Sequence, residues 1–229
     1  MIITKFIIVA VVGYLLVSIP FGLIVSRRMA KVDVRGFGSG KIGTTNVLRT
    51  AGRKAAVIVF VLDIVKGALA VLFAGLIFGE GYLIIGGVTW GVLVAQVIAA
   101  VAAMLGHTRS VFLRFRGGGR GVATFFGGLA ALFPPAALFG GEVFIIGSGL
   151  TKFVSLASIA AAVSTYAILA PLTILHKFPL EYLLYALVGS VIIIFMHRGN
   201  IRRLLSGTER KLGDKAKLRG TSLSHTSKL

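Results

Sequence analysis

The chain has 229 residues, of which 56% are hydrophobic and 14% charged, and its mean hydropathy is +0.95. Soluble domains carry about 25% charged residues, so this composition excludes a soluble domain and indicates an integral membrane protein. The net charge is +18, but no basic strand or helix with interleaved aromatic residues is present, so we predict no nucleic-acid partner. The sequence contains no cysteine, which excludes disulfides, thiolate metal sites and a cysteine nucleophile.

Apolar runs of the length needed to cross a bilayer alternate with short polar segments. The first run is too long for the apolar core of a signal peptide, so we predict that it is a membrane span. Seven spans would place the N-terminus outside and the C-terminus in the cytoplasm. The predicted helices lie near residues 4–26, 55–78, 83–105, 122–133, 136–151, 154–175 and 180–196.

The fourth predicted helix, residues 122–133, is unusually short because Pro134 stops it. At 1.5 Å per residue it reaches about 18 Å, against a hydrocarbon core of about 30 Å. The sequence therefore predicts an all-α membrane bundle in which a glycine-rich loop and one short helix leave a notch. Residues 1–209 form a single transmembrane domain, and residues 210–229 are a basic cytoplasmic tail that we predict to be disordered.

The positive charges lie on one side of this bundle. Of the 25 lysines and arginines, 22 lie in residues 27–54, 106–121 and 198–229 or at Lys152. The positive-inside rule places these segments in the cytoplasm, where they also meet anionic lipid head groups.

Segment 38–54 has the pattern of a tight turn followed by the head of a helix. Free N–H groups at a helix head bind anions well. Two interpretations remain open: Thr44, Thr45 or Asn46 simply caps the helix while the cations face lipid phosphates, or these side chains bind an anionic ligand. A Walker A loop is excluded, because no Gly-Lys-Ser/Thr ending follows the glycines.

Segment 116–121 contains Gly117, Gly118 and Gly119, followed by Arg120 at the start of the predicted short helix. Adjacent glycines cost backbone entropy and add no packing, so a ligand-binding loop explains them better than a spacer. Upstream, His107 is either part of the same site or an interfacial histidine.

Polar residues also mark three of the predicted spans. His197 and Asn200 stand three residues apart where the last span ends, so they share a helix face and can orient a ligand. Asp63 and Lys66 lie inside the second span, where one charge costs about 2.5–3.5 kcal/mol, so we expect them to pair in the bundle interior. Glu142 has no partner at helical spacing.

The remaining residue types narrow the chemistry. The seven acidic residues do not cluster, so we predict no metal and no cofactor. A Ser–His–Asp set and a nucleophile elbow are both missing from the sequence. Glycines and cations at one membrane face suit an enzyme that binds phosphorylated substrates; a transporter of an organic phosphate is the alternative.

Several motifs occur in a fixed order along the chain: Gly38-Ser39-Gly40 through Asn46 and Arg49, Leu62-Asp63 with Lys66-Gly67, Gly106-His107, the glycine-rich loop ending Val122-Ala123-Thr124, residues 154–159, and His197-Arg198 with Asn200-Ile201. From residue 5 to about residue 209, they resemble the bacterial acyl-phosphate:glycerol-3-phosphate acyltransferase family. The resemblance implies a monomeric, multi-pass enzyme of the bacterial inner membrane, with its active site facing the cytoplasm. Such an enzyme transfers a fatty acyl group from acyl phosphate to the 1-hydroxyl of glycerol 3-phosphate, giving lysophosphatidic acid and inorganic phosphate.

The resemblance also implies residue roles. It makes four residues catalytic: Ser39, Arg49, His197 and Asn200. It assigns substrate binding to Gly40, Thr45, Asn46, Arg120 and the loop Gly117, Gly118 and Gly119, which would cradle the acyl phosphate. The proton acceptor is left open between His197 and a phosphate oxygen of the substrate.

The chain departs from the family pattern in each motif. The family usually has Asn at Lys41, Ala at Thr44, Pro at Ser110 and Glu at Gly199. Its loop has two glycines and ends in Lys, whereas this loop has three and ends in Arg120. Arg presents a planar fork where Lys presents a point charge, so we expect an active enzyme with a retuned site.

Overall fold

The computed structural model describes residues 2–216 and 218. A short antiparallel hairpin of β1 (Leu83–Ile85) and β2 (Val88–Trp90) joins the third and fourth helices. The helices are α1 (Ile2–Ser18), α2 (Phe21–Ala30), α3 (Thr44–Phe78), α4 (Val92–Thr108), α5 (Val122–Leu132), α6 (Pro134–Thr151), α7 (Val154–Ile174), α8 (Leu180–Met196) and α9 (Arg198–Leu205).

Three predicted helices differ from the observed ones. The first is broken into α1 and α2 at Pro20, which lacks the N–H that a continuous helix needs. The second corresponds to the longer part of α3, and an additional helical piece that begins at Thr44 precedes it, separated by the non-helical backbone of Gly52. The third prediction was wrong over residues 83–90, which form the hairpin because Gly86 and Gly87 both adopt the positive φ of a tight turn.

Within residues 2–216, four helical segments are long and apolar enough to cross a membrane: Ile2–Ala30, Thr44–Phe78, Val92–Leu113 and Val154–Ile174. A fifth is added if α8 and α9, which meet at a bend of 60°, count as one. Helix α5 has only 11 residues, and it ends at Leu132, directly before the Phe133-Pro134 junction with α6. The predicted stop at Pro134 is therefore confirmed.

Glycines allow the helices of the bundle to pack closely. A Cβ on Gly127 of α5 would overlap the main-chain oxygen of Ile64 in α3, and one on Gly67 would overlap that of Thr124. Small residues at such crossings bring membrane helices into van der Waals contact. The short helix α5 is therefore held against α3 by main-chain contact.

Successive helices alternate in direction. The N-termini of some helices therefore lie at the same side of the bundle as the C-termini of the others. The first turns of α3, α5 and α7 line the same cavity as residues at the ends of α4, α6 and α8. Segments that are far apart in the sequence therefore meet there, and this end of the bundle carries the candidate site.

Substitution of Gly127 by Ala should destabilise the protein by about 1–3 kcal/mol, because the added methyl group forces α5 away from α3. Thermal unfolding in mild detergent measures the change. Gly141→Ala on α6 is the matched control, since nothing lies within 4 Å of the position its Cβ would take. Equal melting temperatures for the two variants would contradict the close contact.

Candidate functional site

Two cavities lie side by side at this end of the bundle. The first, here called the apolar cavity, has a volume of about 370 Å³ and includes Val57, Phe60 and Phe144 in its wall. The second, the cationic cavity, has a volume of about 610 Å³, and none of the described residues lining it is acidic. Its basic residues are Lys41, Arg109, Arg116, Arg120, Arg198, Arg202, Arg203 and Arg210. The residues common to both cavities are Ser39, Lys41, Arg120, Asn200 and Arg210.

Three helix N-termini converge on the apolar cavity. Helices α3, α5 and α7 follow Gly43, Gly121 and Phe153, and none of these three N-caps makes a side-chain capping bond. Each helix therefore presents free N–H groups and the positive end of its dipole. The wall of an otherwise apolar cavity therefore carries groups that favour binding of an anion.

The side chain of Asn46 organises the loop that carries Ser39. Its Nδ2 donates to the main-chain oxygens of Val34 (2.9 Å), Lys41 (2.9 Å) and Phe37 (3.2 Å), and its Oδ1 accepts from the Ser39 N–H (3.2 Å). Asn46 is therefore a loop anchor and does not cap α3. The resemblance implies a substrate-binding role for Asn46, and this residue itself lines the apolar cavity.

Arg49 extends from the first turns of α3 into the wall of the apolar cavity. Its Nη2 donates to the main-chain oxygens of Arg210 (3.2 Å) and Lys211 (3.0 Å). Its Nε is buried and has no hydrogen-bond partner among the described residues. This guanidinium is thus held through Nη2, while its buried Nε has no partner among the described residues.

The segment that holds Arg49 is the start of the predicted disordered tail. Residues 210–216, here called the C-terminal strap, lie against the site instead. Leu212 N donates to Lys152 O (2.7 Å), and Ala216 N donates to Arg49 O (3.3 Å). The structure therefore differs from the prediction over this stretch, and the rest of the predicted tail, residues 217 and 219–229, lies outside the described residues.

The glycine-rich loop contributes less cavity wall than expected. Gly118 and Gly119 are buried and line neither cavity. They pack against His107 so closely that a Cβ on either would collide with it. Gly119 N donates to His107 O (3.0 Å). Gly117 lines the cationic cavity but not the apolar cavity. The close packing against α4 explains the glycines and delivers Arg120 to the boundary of both cavities.

Of the other predicted substrate-binding residues, Thr45 lines the apolar cavity, whereas Gly40 is buried and lines neither. Gly40 has a φ of 68°, which favours glycine in the turn before α3. Thr44 also lines the apolar cavity, with a buried Oγ1 that has no partner among the described residues. Gly40 therefore shapes the turn, and the two threonines contribute cavity wall.

Arg120 is the cation at the centre of the site. Burial lowers the pKa of its guanidinium to about 10; Glu209 opposes this shift, and the charges of Arg203, Arg49 and Arg210 add to it. The group stays protonated at neutral pH. A cation with few solvent contacts interacts strongly with any anion that enters either cavity.

His197 and Asn200 do not share one continuous helix face, because the chain bends at His197 between α8 and α9. Both nevertheless line the apolar cavity. His197 Nδ1 lies 2.8 Å from Ile193 O. A carbonyl only accepts, so in the neutral ring Nδ1 carries the proton and Nε2 keeps its lone pair.

Sequence reasoning missed Glu209, whose side chain is only 4% exposed. Its Oε1 accepts from Asn200 Nδ2 (2.6 Å) and Ser155 Oγ (2.9 Å), and its Oε2 accepts from Arg203 Nε (2.7 Å). Burial acts to raise the pKa of this carboxyl, but the hydrogen bonds from Asn200, Ser155 and Arg203 outweigh it and hold the pKa below its ordinary value. The available signal was that Glu209 is the one carboxylate in the basic segment 197–209.

The expected pairing of Asp63 with Lys66 is confirmed. Their charged groups are 2.9 Å apart and almost fully buried, and Asp63 lies 3.7 Å from His107 Nδ1. Lys66 Nζ also donates to the main-chain oxygen of Ile19 (3.1 Å), at the break between α1 and α2. The pair therefore ties three helical segments together beside the apolar cavity.

Some departures from the family pattern have a structural explanation. Ser110 is buried, and its hydroxyl donates to the main-chain oxygen of Ser18 (2.6 Å) at the end of α1. Lys41 and Gly199 both line the cationic cavity. Glu142 is exposed on α6, and nothing in the described structure explains it.

Substitution of Glu209 by Gln should destabilise the protein by about 1–3 kcal/mol, the usual size of a lost hydrogen bond to a charged group. The folded-state pKa lies below the ordinary 4.5, so the wild-type carboxylate stabilises the fold above that pH, and this contribution is lost as the pH falls through the folded pKa. Thermal unfolding from neutral to acid pH measures both effects. Glu80→Gln, at an exposed position, is the control; an unchanged pH dependence in Glu209→Gln would contradict the assignment.

Known proteins resemble this chain in sequence and in structure. Residues 7–207 match the family model described as glycerol-3-phosphate acyltransferase. The chain is 58% identical over 217 residues to glycerol-3-phosphate acyltransferase 3 of Dehalococcoides mccartyi strain CBDB1, covering 95% of this chain and 100% of that protein. It is 43% identical to the glycerol-3-phosphate acyltransferase of Synechococcus sp. strain JA-3-3Ab, covering 89% and 91%.

Two crystal structures of PlsY (YgiH), an integral membrane glycerol 3-phosphate acyltransferase, share the fold. The glycerol 3-phosphate form has a TM-score of 0.77 and 36% identity, covering 91% of this chain and 96% of that one. The lysophosphatidic acid form has a TM-score of 0.75. The chain therefore belongs to the glycerol-3-phosphate acyltransferase family and is a PlsY-like member of it.

Proposed function

We propose that this protein transfers a fatty acyl group from acyl phosphate to the 1-hydroxyl of glycerol 3-phosphate, releasing lysophosphatidic acid and inorganic phosphate. The observation that carries the proposal is the meeting of an apolar and a cationic cavity at Ser39, Arg120 and Asn200. An acyl donor is mostly hydrocarbon, and the acceptor is a small dianion. Each cavity matches one substrate, and the reacting groups meet where the cavities join.

The cationic cavity suits the acceptor. Its eight basic residues and the absence of a described carboxylate from its wall favour a phosphate group, which accepts several charge-assisted hydrogen bonds. The PlsY structure in its glycerol 3-phosphate form supports the same acceptor here.

The apolar cavity suits an acyl chain that ends in phosphate. Val57, Phe60 and Phe144 offer apolar contact, while the three helix N-termini, Arg49 and Arg120 surround the other end. Helix N-termini and guanidinium groups stabilise a leaving phosphate without a metal ion. This arrangement supports acyl phosphate as the donor.

We assign the chemistry as follows. The acceptor hydroxyl attacks the acyl carbonyl carbon, a new carbon–oxygen ester bond forms, and the bond to the phosphate oxygen breaks. His197 Nε2 takes the hydroxyl proton, and a phosphate oxygen of the acceptor is the alternative base. Arg120 and the N–H groups at the cavity wall stabilise the tetrahedral oxyanion, where a single donor contributes roughly 3 kcal/mol. Ser39 and Asn200 position the substrates at the junction.

The helix directions support a seven-span topology. If α1 and α2 count as one segment, seven helical segments from α1 to α8 run in alternating directions between the two ends of the bundle, and the N-terminus lies at the end opposite the site. The basic segments surround the site, so we place it on the cytoplasmic face of a bacterial inner membrane. We also propose that the enzyme is a monomer. Both cavities lie at one end of the bundle, which gives no support to the transporter alternative.

The purified protein should release phosphate from palmitoyl phosphate only when glycerol 3-phosphate is present, and lysophosphatidic acid should form in equal amount. Arg49→Ala should lower this rate about 100-fold or more, as expected for the loss of a group that stabilises developing charge. Phosphate release and product formation measure the result. A folded wild-type protein that released no phosphate from donors of several chain lengths would contradict the proposed donor.

Arg120 should tolerate Lys better than Gln. Arg120→Gln removes the cation between the cavities and should lower kcat by about 100-fold or more. Arg120→Lys keeps the charge and matches the usual family residue, so it should retain activity within about tenfold. Arg28→Gln, at an exposed position that lines neither cavity, is the control. An equal loss of kcat in Arg120→Lys and Arg120→Gln would contradict the role that we assign to the positive charge of Arg120.

A further inference from the structure

We propose that the C-terminal strap, residues 210–216, is a positioning segment for acyl transfer. Its main-chain carbonyls fix the Arg49 guanidinium in the orientation that binds substrate phosphate. The inference rests on the proposed function, because it takes Arg49 as a phosphate ligand. It adds an element that lies beyond the matched residues 7–207.

The contacts of Arg49 point to positioning. Two carbonyl oxygens, those of Arg210 and Lys211, accept from the same nitrogen, Nη2. A planar guanidinium has donors on other edges, and here Nε is buried at the cavity without a partner among the described residues. Fixing one nitrogen fixes the plane of the whole group. In this proposal, the guanidinium held in that plane is the group that binds the substrate phosphate.

Carbonyl partners orient this cation without neutralising it. A carboxylate in the same place would compete with the substrate for Arg49, whereas a carbonyl carries only a dipole. Asp214, the acidic residue of the strap, accepts a hydrogen bond through Oδ2 from the main-chain nitrogen of Lys211 (2.7 Å). The acid therefore stabilises the turn of the strap, and it forms no hydrogen bond with Arg49 among the described residues.

The strap is fastened to three parts of the site. Leu212 N donates to Lys152 O (2.7 Å) at the end of α6, and Ala216 N donates to Arg49 O (3.3 Å) in α3. Just beyond it, Leu218 forms an antiparallel bridge with Phe37, two residues before Ser39. Arg210 and Leu212 are themselves part of the wall of the apolar cavity. A segment bound in this way has a defined position from which to hold Arg49.

Leu212→Pro tests the proposal, because proline removes the N–H that binds Lys152 O. Leu212→Ala is the matched control, since it keeps that N–H while removing the same apolar side chain. The proline variant should lose roughly tenfold or more in kcat/KM for palmitoyl phosphate, whose phosphate group we place at Arg49, relative to the alanine variant, the effect of a misplaced charged hydrogen-bond donor. Equal kcat/KM in the two variants would overturn the proposal.

A second comparison separates positioning from general destabilisation. Both substitutions are repeated in Arg49→Lys, which keeps the charge but lacks the fork held by the strap. If the strap acts through Arg49, proline and alanine should differ less than twofold in this background. An undiminished difference would show that the strap acts elsewhere and would overturn the proposal.

The rise in melting temperature caused by inorganic phosphate gives a readout that does not need turnover. Leu212→Pro should reduce this rise in the wild-type background and leave it unchanged in Arg49→Lys. Loss of acyl transfer in the wild type would contradict the proposed reaction, while the phosphate effect would still test the strap. Removal of residues 219–229 leaves every contact named above in place and should not change either readout.

Discussion

The proposed reaction requires the site to hold two phosphate-bearing substrates close together at the edge of a membrane. The structure meets this constraint with the positive N-terminal ends of fixed helices, with buried arginines and with few carboxylates. Three uncapped helix N-termini and Arg49 line the apolar cavity, and Arg120 lies where it joins the cationic cavity. Helix dipoles and buried guanidinium groups are oriented before substrate arrives, so little reorganisation is needed when negative charge moves during acyl transfer.

Close helix packing sets the depth of this site. Gly67 and Gly127 bring α3 and α5 into main-chain contact, and the 11 residues of α5 are too few to cross the hydrocarbon core. Because α5 packs beside this longer neighbour, we infer that the head of α5 lies below the membrane surface. An acyl chain in the apolar cavity then reaches the same level as a water-soluble acceptor in the cationic cavity, and neither substrate has to leave its own solvent completely.

The sequence predicted the features that depend on local chemistry. Hydrophobic runs predicted the helices after residue 121, and Pro134 predicted the end of α5. The spacing of the two charges predicted the Asp63–Lys66 pair. It did not predict features that depend on distant contacts. The bonds of Asn46 to its preceding loop, the packing of Gly118 against His107 and the place of Glu209 all involve surfaces that exist only after folding. The hairpin at residues 83–90 was missed because its strands are as apolar as a membrane helix, and only Gly86-Gly87 marks the turn.

Two arginines of the site have different kinds of hydrogen-bond partner, a carboxylate for Arg203 and main-chain carbonyls for Arg49, and this difference explains how the site keeps positive charge. Arg203 lies beside the cationic cavity and is paired with Glu209, whose other oxygen binds Asn200 and Ser155. This carboxylate orders α9 against α7 and neutralises a cation at the edge of the site. Arg49 has main-chain carbonyls as its partners, which orient it and leave its charge unpaired. The difference follows from the tasks: a side chain that joins two helices benefits from a full counter-charge, whereas a side chain that must attract phosphate is weakened by one.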